Sequence, residues 1–198
     1  MNKTFDYLID ALKSLPGVGT KQAKTIAQHL IKKDDIYVNE LIVRIKNAKD
    51  NIKFCSQCNN ICENELCDIC RDFGRDVTKL CIVTTNEDLT KINETKEYNG
   101  LYFVTNDEYD GKKAKELPAK TVTKFIKLLN LYKFHEIIIA TNWTNNGELT
   151  AVFLKKIINN YLPNCKTFRL AIGLPVNSAL DYADSLTLKH ALKNKTSY

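Results

Sequence analysis

The sequence predicts a multi-domain α plus α/β protein: a helical N-terminal region, a small cysteine-bearing module, a mainly parallel sheet with flanking helices, and a closing helical segment. Three observations carry this expectation. Apolar residues recur at helical spacing on either side of a Pro-Gly-Val-Gly break near the N-terminus. Four cysteines then fall in two C-x-x-C pairs, and from residue 79 apolar β-rich runs alternate with helix-length stretches. The boundaries expected on this basis are 1–53, 54–76, 77–172 and 173–198.

In the first region Phe5, Leu8, Ile9 and Leu12 mark one helix, LPGVG interrupts it, and Ala23, Ile26, Ala27 and Leu30 resume the spacing. A third helix is expected from Val38 to Ala48, with Leu41, Ile42 and Ile45 on one face. Residues 54–74 are too rich in Asn, Asp and Glu to pack as an ordinary core element. Beyond them KLCIVTT, GLYFVT, EIIIATN and KTFRLAIG read as strands, separated by helices over 87–96, 118–132 and 147–160. Continuous apolar strands joined by helix-length connections are the mark of parallel strands covered on both faces. A last helix is expected around Ser185 to Lys193.

Composition fits this layout. Of 198 residues, 44% are hydrophobic and 26% charged, with only 7 Gly and 4 Pro, which argues for regular structure and against disorder. The balance of 29 Lys+Arg against 23 Asp+Glu leaves +6, a charge that permits contact with a polyanion without demanding it. No run approaches the roughly 18 to 20 apolar residues of a spanning helix, and MNKTFDYLID lacks the apolar centre of a signal peptide. A cytoplasmic, reducing environment is therefore expected, and it suits seven cysteines of which four follow a metal-type pattern.

Two motifs carry chemistry. In LPGVGTKQA, Gly17 and Gly19 can take backbone angles closed to other residues, so the turn can present N–H groups to a phosphate at the start of the second helix. Lys21 and Lys24, in the first turns of that helix, would add counter-charge to a DNA backbone. An ordinary helix hairpin closed by Pro and Gly is the alternative, but the full pattern resembles a helix-hairpin-helix DNA-binding motif. In CSQCNNICENELCDIC, Cys55 and Cys58 pair with Cys67 and Cys70 as two knuckles offering four thiolates. That donor set, with no position left open, describes one structural zinc ion per chain rather than a catalytic one. A redox C-x-x-C and unrelated free thiols are the alternatives, and Cys62 is the less favoured fifth candidate. Cys81 and Cys165 are expected to be packed or idle.

The expected strand ends lack the clustered carboxylates that magnesium-assisted phosphoryl chemistry requires. Thr84, Thr85 and Asn86 follow one strand, and Thr141, Asn142 and Trp143 another. Glu87, Asp88 and Glu148 suit the acidic first turns of the next helices. His29, His135 and His190 are scattered, with no spacing to a nucleophile. Trp143 sits where open α/β sheets place ligand sites, and it can serve a partner, DNA or simple packing.

In order along the chain, LPGVGTKQAKTIAQHL, the four cysteines, ATN with GELTA, and RLAIGLPVNSALDYADSLTLKHAL together resemble the bacterial RecR family of recombination proteins. The resemblance implies a helix-hairpin-helix region, a four-cysteine zinc finger, a Toprim-like domain and a C-terminal segment. It further implies a non-catalytic, nucleoid-associated DNA clamp, a ring-like tetramer built from dimers. Such a clamp works with RecO-like and RecF-like partners at gapped duplex or single-strand/duplex junctions to help load recombinase. Three departures stand out. Thr84 replaces the Toprim glutamate and Asn142 falls in the region of its paired aspartates; Thr25 replaces an arginine, with Lys24 beside it; and NDEYDGKKAKELP replaces a Gly- and Ser-Pro-rich loop. Asp107, Glu108 and Asp110 of that loop either meet a basic partner or stand solvated. The rival expectations are a metal-dependent Toprim nuclease or topoisomerase-like enzyme and a protein-only adaptor.

Overall fold

A computed structural model describes residues 3–111, 116–177 and 179–195. They form two compact units, Met1–Ile52 and Lys53–Tyr198.

The first unit holds α1 (Lys3–Lys13), α2 (Thr20–Lys32) and α3 (Asp35–Asn51). Ile9, Ala23 and Ala27 are its buried residues, with Phe5, Leu8, Leu12 and Val18 packed around them. The two alanines let α1 and α2 approach closely. α3 is capped by Asp34, whose side chain accepts from the Tyr37 N–H at 2.8 Å. It runs longer at both ends than its apolar spacing marks. None of its residues is buried: Leu41, Ile42 and Ile45 are 38%, 56% and 62% exposed. The spacing identifies the helix but not anything to cover its face.

The second unit begins with the hairpin β1 (Lys53–Phe54) and β2 (Ile61–Cys62) and the single turn α4 (Asp68–Arg71). The sheet follows: β3 (Asp76–Val83), α5 (Asn86–Glu94), β4 (Gly100–Val104), α6 (Ala119–Leu131), β5 (Glu136–Ala140), α7 (Asn145–Tyr161) and β6 (Lys166–Arg169). A short 3-10 turn (Leu180–Tyr182) and α8 (Ser185–Lys193) close the described chain. The strand order is β4-β3-β5-β6, all parallel, so each neighbour is reached by a crossover.

Alternation along the strands feeds two cores. Leu80, Ile82, Leu101, Phe103, Ile137 and Ile139 face one side, against Phe125, Leu128 and Leu129 of α6 and Leu154, Ile157 and Ile158 of α7. Cys81, Val83, Tyr102 and Val104 face the other, against Leu89 of α5. The double coverage expected from continuous apolar strands is therefore present. The last strand is the exception: KTFRLAIG pairs only through Arg169, opposite Ile139, and the chain from Leu170 to Pro175 is irregular. At that point the Arg169 guanidinium donates to the Ile139 carbonyl at 2.8 Å.

Gly147, in the first turn of α7, shows how tightly the β5–α7 connection is wound. A Cβ there would lie 2.1 Å from the Asn142 carbonyl oxygen and 2.8 Å from its carbon. Gly→Ala inside a helix ordinarily stabilises by roughly 0.5–1 kcal/mol. Here the sign should reverse, because backbone must move: Gly147→Ala is expected to destabilise by about 1–3 kcal/mol, read as a lower urea midpoint.

Candidate functional site

The cysteine knuckle is built by backbone geometry. Asn59 takes a left-handed φ of 67°, which turns the chain so that the Asn59 N–H reaches the Cys55 carbonyl at 3.2 Å and the Cys55 N–H reaches the Asn60 carbonyl at 2.7 Å. Cys67 caps α4, and its own N–H points at the Cys55 sulfur at 3.4 Å. The sulfurs of Cys55, Cys58, Cys67 and Cys70 all lie within 4.8 Å of one another, with Cys58 and Cys67 3.4 Å apart. Four thiolates around a tetrahedral zinc at about 2.3 Å would sit about 3.8 Å apart, so the tetrad fits one zinc ion. Cys62 points elsewhere and donates its S–H to the Asn64 carbonyl at 3.0 Å.

Crowding divides the proton affinities of these thiols. S–H donation from Cys58 above all, then from Cys67 and Cys70, holds Cys55 far below the ordinary thiol range. The proton that Cys58 shares with Cys55 pushes Cys58 well above it, and Cys70 is raised through Cys55 in the same way. Four buried or half-buried thiols whose sulfurs lie within 4.8 Å of one another suit a dication, which binds them as thiolates. Cys81, by contrast, is buried in β3, where desolvation pushes it up to about 12, so it is a packed and unreactive thiol. Burial raises Cys165 as well.

The knuckle is joined to the sheet. The Val104 N–H donates to the Cys58 carbonyl at 2.9 Å, and Asn59 Nδ2 donates to the Val104 carbonyl at 3.0 Å. Lys124 of α6 donates to the Cys55 carbonyl and to Asn59 Oδ1, each at 3.0 Å. Asn106 Nδ2 reaches the Asn59 carbonyl, Asn86 Nδ2 reaches Asn60 Oδ1, and Gln57 Nε2 reaches the Tyr132 hydroxyl.

In the first unit, Leu15–Val18 is a β-turn closed by the Val18 N–H on the Leu15 carbonyl at 3.2 Å. Pro16 and Gly17, the latter at φ +76°, occupy its centre as a type II turn requires. The Gly19 N–H is taken by Gln22 Oε1 at 2.9 Å. The donors left to an anion are therefore the first N–H groups of α2, from Thr20 to Gln22, rather than those of the glycines themselves. Lys21 and Lys24 are exposed one turn apart, on a helix that carries no acid. The Thr25 hydroxyl donates back to the Lys21 carbonyl at 3.0 Å.

The carboxyl ends of the strands carry a cluster of bonded polar side chains. Asp88 and Thr85 cap α5 reciprocally, and Glu148 pairs with Arg169. Arg169 also donates to Thr141 Oγ1 at 2.7 Å and stacks on Trp143, its guanidinium carbon 4.4 Å from the ring centroid. Trp143 is half exposed and meets His190 of α8 at 6.4 Å between centroids. Glu108 departs from the expectation of a solvated loop residue, because it accepts from donors within the fold. The Thr84 hydroxyl donates to its Oε1 at 3.1 Å and Asn142 Nδ2 at 2.9 Å. The loop that brings it there is pinned by the Asn106 N–H on the Thr84 carbonyl and the Tyr109 N–H on Thr150 Oγ1. Residues 112–115 of that loop lie outside the described residues, as does Ser178 in the closing stretch.

A parallel sheet of this order, a four-cysteine knuckle docked on its edge and a glycine turn between two helices define a Toprim-type protein with a zinc finger and a helix-hairpin-helix region. Comparison agrees along the whole chain. The Toprim domain matches residues 78–168, the RecR helix-hairpin-helix 5–49, the RecR four-cysteine zinc finger domain 52–72 and the RecR C-terminal region 173–196. The chain is 47% identical over 193 residues to the recombination protein RecR of Ureaplasma urealyticum serovar 10, covering 96% of this chain and 94% of the relative. It is 44% identical over 191 residues to that of Ureaplasma parvum serovar 3, with the same coverages. To that of Endomicrobium trichonymphae it is 36% identical over 190 residues, covering 96% and 95%. The chain belongs to the RecR family of recombination proteins, and its cysteine tetrad can bind one zinc ion.

Asn59→Gly isolates the docking of the knuckle, because glycine accepts the left-handed φ while the side-chain bonds to Val104 and Lys124 are lost. Leaving those partners unsatisfied should cost about 1–3 kcal/mol in urea unfolding, while metal analysis still finds one zinc ion per chain.

Proposed function

We propose that this protein is a non-catalytic recombination mediator that binds DNA through its glycine turn and works in RecFOR-type gap repair, as a clamp that helps partner proteins load recombinase. The observation that carries the reading is the start of α2. The first N–H groups of the helix, Lys21 and Lys24 converge there on a helix without acids, and Gly17 permits the turn that exposes them. Gly17, Gly19, Lys21 and Lys24 are the DNA-binding residues, with Gly19 acting through backbone shape since Gln22 holds its N–H. Contacts of this kind read phosphates rather than bases. Cys55, Cys58, Cys67 and Cys70 hold a zinc ion whose role is structural. The functional regions follow 1–53, 54–76, 77–172 and 173–198.

What supports a non-enzymatic role is that the acids at the strand ends have partners within the fold: Glu108 accepts from Thr84 and Asn142, Glu148 pairs with Arg169, and Asp88 caps α5 with Thr85. A ring of four copies built from dimers would retain DNA topologically and add avidity to weak single contacts. The uncovered apolar face of α3 is a surface that a second copy can bury. RecO-like and RecF-like proteins are the expected partners, and gapped duplex the expected DNA. No helix among the described residues is long and apolar enough to cross a membrane, which suits a protein of the cytoplasm and nucleoid.

The test is a salt titration of labelled gapped duplex. Lys21→Ala with Lys24→Ala should lower the slope of log K against log salt by about 1.8, at about 0.9 for each phosphate no longer neutralised. An unchanged slope would remove the hairpin from the DNA interface and favour a protein-only adaptor. Incubation of the same DNA with magnesium or manganese should release no product; cleavage by wild-type protein would restore the enzyme reading.

A further inference from the structure

Helix α6 carries a second basic surface. It buries Thr121, Phe125, Leu128 and Leu129 against the sheet, and sets Lys120, Lys124 and Lys127 at i, i+4 and i+7 along another face. Lys120 and Lys127 are exposed, while Lys124 is half-buried by its bonds to the knuckle. With Ser56 of the finger and Thr123, the three lysines line a concavity of about 350 Å³. The helix contains no acidic residue, and among the described residues none of the three lysines is ion-paired.

Like charges at this spacing work against the helix that carries them. Their spacing also matches a nucleic-acid strand. At about 1.5 Å rise per residue, Lys120 and Lys127 lie about 10 Å apart along the axis, a length over which a duplex strand passes about three phosphates at roughly 3.4 Å each. The other groups of the concavity suit phosphate oxygens better than an acidic peptide. The Thr123 and Ser56 hydroxyls are neutral donors beside point-charge ammonium groups, there is no arginine for bidentate capture of carboxylates, and Ala119 is the sole apolar residue of the lining.

We propose that the Lys120–Lys124–Lys127 face of α6, with Ser56 and Thr123, is a second binding site for nucleic-acid backbone phosphates, separate from the glycine turn. The proposal deepens the DNA-binding reading and rests on it in taking DNA as the ligand.

The experiment is the salt titration of labelled duplex DNA by the zinc-loaded full chain carrying Lys120→Ala and Lys127→Ala, run beside the Lys21→Ala, Lys24→Ala chain. Lys124 is left in place because it supports the finger. The α6 variant should keep its zinc content and circular dichroism, bind at least about tenfold more weakly at low salt, and lose about 1.8 from the salt slope. An unchanged slope in the α6 variant, with a lowered slope in the hairpin variant, would overturn this site and leave the hairpin reading intact. The reverse pattern would establish this site and remove the hairpin. Absence of DNA binding by the wild-type chain would overturn both. Binding of a polyglutamate peptide that is abolished in the α6 variant while its DNA slope is unchanged would overturn the proposal in favour of an acidic protein partner.

Discussion

At the outer edge of the parallel sheet, the Val104 N–H donates to the Cys58 carbonyl instead of to water. β4 would otherwise end as an unpaired edge, a form that invites pairing with other chains. The cysteine knuckle covers it at the strand's carboxyl end, and Asn59 completes the link through the Val104 carbonyl. The knuckle also holds Asn86 at the start of α5 and Asn106 in the loop after β4. A knuckle that is small in sequence therefore bonds two loops belonging to the sheet. Those loops carry Thr84 and Glu108, which are bonded to each other.

The polar side chains at the strand ends bond mainly to one another. Thr84 and Asn142 both donate to Glu108, Thr141 and Glu148 both meet Arg169, and Arg169 stacks beneath Trp143. A magnesium ion needs several carboxylate or water oxygens free to coordinate. Here one carboxylate is committed to two neutral donors and another to a guanidinium. Arg169 also supports Trp143, which stands half exposed beside α8.

Much of this was legible in the sequence, because it depends on spacing within one element. Helical and strand periods located the elements to within a few residues, and C-x-x-C repeated after eight residues placed four sulfurs around one point. What escaped depends on residues distant in the chain. Lys124 and the knuckle are 69 and 65 positions apart at their two contacts, and Glu108 meets Asn142 across 34. An acid in a loop, or a lysine on an amphipathic helix, carries no sign of which distant group will come to face it. The occupation of Gly19 by Gln22 was closer to view, since Gln three residues beyond a helix start is a capping signal. The end of β6 was not, because the apolar run continues to Ile172 although the pairing stops at Arg169.

Lys124 joins the chemistry of the finger to that of the helix behind it. The finger's buried core residues are Cys55, Cys58 and Cys67, with Leu66 and Ile69 packed beside them and Asn59 buried as a polar residue, so it has little apolar core of its own. Modules of this size generally need a metal or another staple to fold. A zinc ion held by the four thiolates would leave a net negative charge on the centre, which donors nearby would help to accommodate. Lys124 is held at the Cys55 carbonyl and at Asn59, where it stabilises the turn that carries two of the sulfurs. Among the described residues Lys120 and Lys127 have no such partner, although they share its helix face. One lysine of the row is tied to the knuckle by two neutral acceptors, and the other two are left for something outside the fold.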